Sequence, residues 1–107
     1  MKRIQRKRTK GWKMPPDAKY VGRPTKWGNP FRVDELGADK AVRKYRECLR
    51  NNAMCYYYFD EIEAAIQFER FKWMSENLDQ LRGFDLACFC SLDSACHADV
   101  LIELINS

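Results

Sequence analysis

The chain has 107 residues, room for one domain but not two. Hydrophobic residues make up 46% and aromatics 13%, so a real core is available that leans on a few large side chains. No apolar run approaches the roughly 20 residues that span a bilayer, and no apolar segment follows the basic start as a secretory signal requires, so a cytoplasmic protein without a membrane role is expected.

The formal net charge of +4 at pH 7 hides an asymmetry. Residues 1–32 hold eleven Lys/Arg and one acid, Asp17; the remainder holds eight Lys/Arg and fourteen acids. A basic third attracts phosphate, whether of a metabolite, a nucleotide or a nucleic acid; for residues 2–13 a merely solvated basic arm is the plainer reading. The five cysteines are an odd number and, in a reducing compartment, point to thiols rather than disulfides. That leaves metal binding, a reactive thiol or core packing.

In chain order, residues 1–17 read as a basic N-terminal arm or edge strand around Ile4, ended by Pro15-Pro16-Asp17. Residues 18–107 read as a single α/β domain. Residues 18–21 form a short strand that Gly22 ends. The following run to Phe31 mixes two glycines, two prolines and an asparagine with cations and aromatics, which is turn chemistry. Residues 31–33 suggest a brief extended piece with Phe31 and Val33 on one side, and 34–37 a turn. Residues 38–50 carry one apolar helical stripe at 38, 41, 42, 45, 48 and 49, with Cys48 as a small core residue.

The aromatic run 54–59 has no clean period and reads as an inserted turn, a short strand or a contact surface; its three tyrosines suit base stacking as well as packing. Residues 60–78 predict a second helix, with Asp60 and Glu63 at capping-box spacing and a wide apolar face through Ile62, Ala65, Ile66, Phe68, Phe71, Met74 and Leu78. Residues 84–90 predict a buried strand with Leu86, Cys88 and Cys90 on one side and Ala87 and Phe89 on the other. A tight loop follows, then a helix over 96–105 capped by Ser94 or Asp93.

Strands separated by helices define a small two- or three-layer Rossmann-like α/β domain, with a short, mostly parallel sheet and about three helices. Ligands in such folds sit beyond the carboxyl ends of the strands. If the strands at 18–21 and 84–90 are parallel neighbours, loops 23–31 and 90–96 converge. In the first, Arg23, Thr25 and Lys26 are candidate anion contacts, Gly28 allows close backbone approach, Asn29 both donates and accepts, and Trp27 and Phe31 offer flat faces to a ring. In the second, Cys96 at a helix N-terminus beside His97, with Cys90 opposite, is a candidate catalytic group. The same segment offers zinc the right number of donors in Cys88, Cys90, Cys96 and His97, although their spacing is unlike that of common zinc knuckles. No other cofactor is expected.

Three stretches carry a resemblance: residues 21–31 (VGRPTKWGNPF), 81–90 (LRGFDLACFC) and 96–101 (CHADVL). Together they resemble domain-of-unknown-function family 4326, a family of bacteria and their phages. The resemblance spans nearly the whole chain and departs at Phe89, where Trp is more usual. It implies a small cytosolic protein of bacterial or phage origin, located in the host cytoplasm if phage-encoded, and supplies no reaction. The expected function is binding of a nucleotide or phosphometabolite, with a nucleotide-processing enzyme as the catalytic form of that expectation. Two alternatives stand beside it: a nucleic-acid-binding module using the basic third, and a phage protein that binds and modulates a host protein through the aromatic run 54–59.

Overall fold

A computed structural model describes all residues 1–107. Three short strands, β1 (Arg3–Gln5), β2 (Ala18–Tyr20) and β3 (Asp85–Cys88), form one sheet in the order β1-β3-β2, with both pairings parallel. The last strand is therefore the central one. Composition explains this: Leu86 and Ala87 are fully buried, as a two-sided parallel strand requires, whereas β1 and β2 carry Arg3 and Lys19 and suit sheet edges. Ala87 is the registration point, opposite Ile4 on one side and Tyr20 on the other. The ladder runs on beyond the strands, with Arg6 N–H donating to the Cys88 carbonyl (2.8 Å) and Val21 N–H to the Ala87 carbonyl (2.9 Å). Residues 3–5 are thus part of the domain's sheet rather than a detached arm.

Five helices follow the expected order with two additions. The long ones are α2 (Ala38–Arg50), α4 (Glu61–Asn77) and α5 (His97–Ile105); the single turns are α1 (Val33–Leu36) and α3 (Cys55–Tyr58). The aromatic run is therefore a 3₁₀ turn and one helical turn, Asn52–Met54 and Cys55–Tyr58, and not a strand. The extended piece expected at 31–33 is absent. Phe31 is buried, stacked on Phe59 at 4.9 Å and edge-on to Tyr58 at 5.6 Å, while Val33 begins α1 and is exposed.

Two other local expectations need correction. Asp60 does cap α4, its carboxylate accepting from Glu63 N–H at 2.9 Å. However, the helix buries Ala64, Gln67, Phe71 and Met74, and Ile62 and Ile66 are 77% and 56% exposed. The helix is apolar on two sides, so periodicity alone could not choose the inward one. Helix α5 is capped by neither Ser94 nor Asp93; Cys96 is the N-cap residue, extended at φ −146°, ψ 143°, with no side-chain cap bond.

Tyr45 of α2 is the hub of the core. It is fully buried, meets Phe71 of α4 and His97 of α5 edge-on at 5.5 and 5.2 Å, and donates its hydroxyl to the Trp27 carbonyl at 2.7 Å. Burial pushes its phenol pKa up, so the hydroxyl stays a donor at all ordinary pH values. Tyr45→Phe removes the partner of a buried carbonyl. It should lower the unfolding free energy by about 1–3 kcal/mol in urea titration, while the exposed-face change Lys40→Ala should stay within about 0.5 kcal/mol of wild type.

Candidate functional site

β2 and β3 are parallel neighbours, so the loops after them leave the same edge of the sheet. Between those loops opens a cleft of about 390 Å³, the size of a small-molecule site. Its lining includes Arg23, Asn29 and Phe31 from the first loop and Cys88, Cys90, Cys96 and His97 from the second. The convergence foreseen from strand order is thus a feature of the fold.

At the floor, His97 is 5% exposed and its Nε2 lies 2.8 Å from the Val21 carbonyl. A carbonyl only accepts, so Nε2 carries a proton, and in the neutral ring Nδ1 keeps its lone pair. That Nδ1 faces Cys96 Sγ at 3.8 Å. Cys88 and Cys90 sulfurs are 3.6 Å apart, and the donor atoms of Cys88, Cys96 and His97 all lie within 4.8 Å of one another. Sulfur–hydrogen donation from Cys90 and then Cys96 pulls the Cys88 thiol pKa down, and the bond to Cys88 pushes that of Cys90 up. The donor atoms of Cys88, Cys96 and His97 are placed so that they are compatible with a zinc ion.

At the mouth, the charge is all positive. Arg8 and Arg23 are the only charged residues lining the cleft apart from the thiol–imidazole cluster, and no carboxylate lines it. Neither guanidinium has a salt-bridge partner. Arg8 lies 3.9 Å over the Phe89 ring, and Arg6 lies 4.6 Å over the Tyr20 ring, which itself meets Phe89 edge-on at 5.7 Å. Tyr20 donates its hydroxyl to the Arg23 carbonyl at 2.6 Å. Gly22 makes room for that ring: a Cβ there would sit 2.5 Å from the Tyr20 hydroxyl oxygen.

Most other residues proposed from the first loop make their contacts inside the fold. Trp27 is buried with its ring 5.0 Å from that of Trp73, so it is a core contact and not a wall for a ligand ring. Thr25 donates its hydroxyl to the Gly22 carbonyl at 2.6 Å, closing a turn. Lys26 lies 4.8 Å over the Trp73 ring, outside the cleft. Gly28 permits close approach, but to Arg23: an added Cβ would stand 2.8 Å from Arg23 Cγ and 3.0 Å from its amide nitrogen. The Asn29 amide is spent internally, donating to the Ala41 carbonyl at 3.1 Å and accepting from Phe31 N–H at 2.9 Å. Arg70, unremarked in the sequence, donates to the Gly28 carbonyl and holds the loop from α4.

Arg8, Tyr20 and Phe89 are the wall residues that sequence reasoning missed. Arg3, expected only as part of a basic arm or edge strand, has a structural role. Its side chain is 10% exposed, its Nη2 donates to the carbonyls of Leu92 and Ser94 at 2.8 and 2.9 Å, and its Nε meets Asp99 at 3.3 Å.

The fold and site together define a small parallel α/β domain with an arginine mouth and a thiol–imidazole floor. Residues 4–107 match the family model described as "Domain of unknown function (DUF4326)", and the chain belongs to that family. No curated protein and no solved structure gives a significant match. No helix is long and apolar enough to cross a membrane.

Because Arg3 clamps the loop that carries the cluster, Arg3→Met should speed amide exchange across residues 92–96 and leave α2 and α4 protected. Hydrogen exchange read by mass spectrometry checks this; unchanged exchange at 92–96 would show the clamp to be incidental.

Proposed function

We propose that the chain binds a phosphate-bearing small molecule, of the nucleotide class, in the cleft beyond the carboxyl ends of β2 and β3. The observation that carries this reading is the charge of the mouth: two unpaired arginines, no carboxylate, and aromatic walls from Tyr20, Phe31 and Phe89. Arginine's fork suits phosphate oxygens, and the rings suit a base or other flat group. The α5 N-terminus adds to the positive potential on the same side. Cys96 and His97 lie at the floor, 1% and 5% exposed, where a bound ligand would press against them. Binding of this kind needs no cofactor. Zinc, a metal whose ligands the floor offers, would act there as structure and not as a phosphate contact.

Calorimetry with nucleoside mono-, di- and triphosphates tests the reading. At least one should bind, and Arg8→Ala or Arg23→Ala should weaken it by about 10–100-fold, the worth of one charge-assisted bond of roughly 1.5–3 kcal/mol. Absence of heat and of any Tm shift with every phosphate ligand at millimolar concentration would overturn it.

One observation favours a nucleic acid as the second reading. On the other side of residues 23–30 lies a groove of about 380 Å³ lined by Arg23, Lys26 and Arg70 with no acid, so cations run on from the cleft through Arg23. In that case an oligonucleotide should bind with steep salt dependence, and Lys26→Ala should reduce the salt slope by about one. Binding that is indifferent to salt would exclude it.

A further inference from the structure

We infer that Cys88, Cys90, Cys96 and His97 form a closed, four-ligand zinc site that ties the end of β3 to the start of α5. At a zinc–sulfur distance of about 2.3 Å, tetrahedral geometry puts two thiolates about 3.8 Å apart, and a thiolate and an imidazole nitrogen about 3.5 Å apart. Cys88 and Cys90 stand at 3.6 Å, and Cys96 and His97 Nδ1 at 3.8 Å.

Contact between sulfurs alone is what ordinary packing produces. The imidazole is what packing does not require. Its Nε2–H is committed to the Val21 carbonyl, so that in the neutral ring Nδ1 is the lone-pair nitrogen, and it is this nitrogen that is turned to Cys96 and the neighbouring Cys88 sulfur. A metal-bound histidine makes this outer contact, its second ring nitrogen donating to a carbonyl or carboxylate. The adjacency of Cys96 and His97 is no obstacle. Cys96 is extended while His97 begins the helix, so their side chains leave the backbone in different directions and meet at one place.

Charge and size point the same way. Three thiolates around zinc, those of buried Cys88 and Cys96 and half-buried Cys90, carry a net charge of −1, and Arg8 and Arg23 line the same cleft. Soft thiolates with imidazole select zinc over magnesium or calcium. The sheet that the ion would brace is slight: its strands are three, three and four residues long. A metal cross-link is one of the standard supports for small domains.

The inference uses none of the phosphate reading, and the two tests are separable, since nucleotide calorimetry reads the arginines and the experiment here reads the sulfurs. The full chain, purified without chelator under reducing conditions, is analysed for metals by mass spectrometry. One zinc per chain is expected, and its removal by a chelator should lower Tm. Cobalt(II) added to the metal-free chain should give the intense thiolate charge-transfer and d–d bands of a tetrahedral site. Because this is read on the unaltered sequence, it does not depend on any variant folding.

Cys90→Ser then tests closure: the charge-transfer intensity should fall by one thiolate's share, and zinc should be lost to a competing chromophoric chelator that the unaltered chain resists. A chain that retains no zinc, carries iron in its place, or gives only the pale spectrum of octahedral cobalt would overturn the site. An unchanged Cys90→Ser spectrum would overturn its closure.

Discussion

The hydrogen bond from His97 Nε2 to the Val21 carbonyl joins two loops that lie 76 residues apart in sequence, and the cleft depends on it. One end of the bond is where β2 stops, the other where α5 starts. The bond satisfies a buried carbonyl just past a strand, sets the imidazole tautomer, and holds the ring edge-on to Tyr45 at 5.2 Å. Tyr45 in turn holds the Trp27 carbonyl, so the first loop is gripped at both ends of the run from Val21 to Trp27. Floor and core are therefore one packed unit, and a change at the floor is felt at α2.

The basic third of the chain does three separate jobs. Arg3 is structural, buried among two carbonyls and Asp99. Arg6 lies over the Tyr20 ring and shares with Arg8 the Phe89 ring between β1's exit and β3's exit. Arg8 and Arg23 open onto the cleft with no carboxylate beside them. No acid lines the cleft, and several are paired elsewhere: Glu103 with Arg46 and Arg50, Asp79 with Arg82, Asp34 with Arg32. A charge count could show that cations were concentrated, but not which of them were left free.

Much of the fold was legible. The stripe of α2, the cap of α4 at Asp60, the apolar run of β3 and the turn chemistry after β2 are local signals, and each appears in place. From strand order alone, parallel pairing brings residues 23–31 and 90–96 to one edge. The errors came where a residue's role depends on what stands opposite. Trp27 looked like a ligand wall because nothing local said that Trp73 would cover it. Asn29 looked free because its partners, Ala41 and Phe31, are reached only through the folded loop. Arg8 and Phe89 were missed because one sits in a charge run and the other at a strand end, and only the sheet brings them to 3.9 Å.

The sequence by itself determined the main helices and strands, the α/β class with a mostly parallel sheet, the family, and most of the residues that line the cleft floor. Those follow from periodicity, turn residues and composition, which act over a few residues at a time. Only the tertiary structure decided that Cys88, Cys96 and the His97 imidazole meet with Cys90 beside Cys88, that Arg8 joins Arg23, and that Trp27, Thr25, Gly28 and Asn29 make their contacts inside the fold. The physical reason is that donor count is a property of composition, whereas convergence depends on which strand lies between which. Here the last strand, placed in the middle by its burial on both faces, brings both ends of the chain to the same edge.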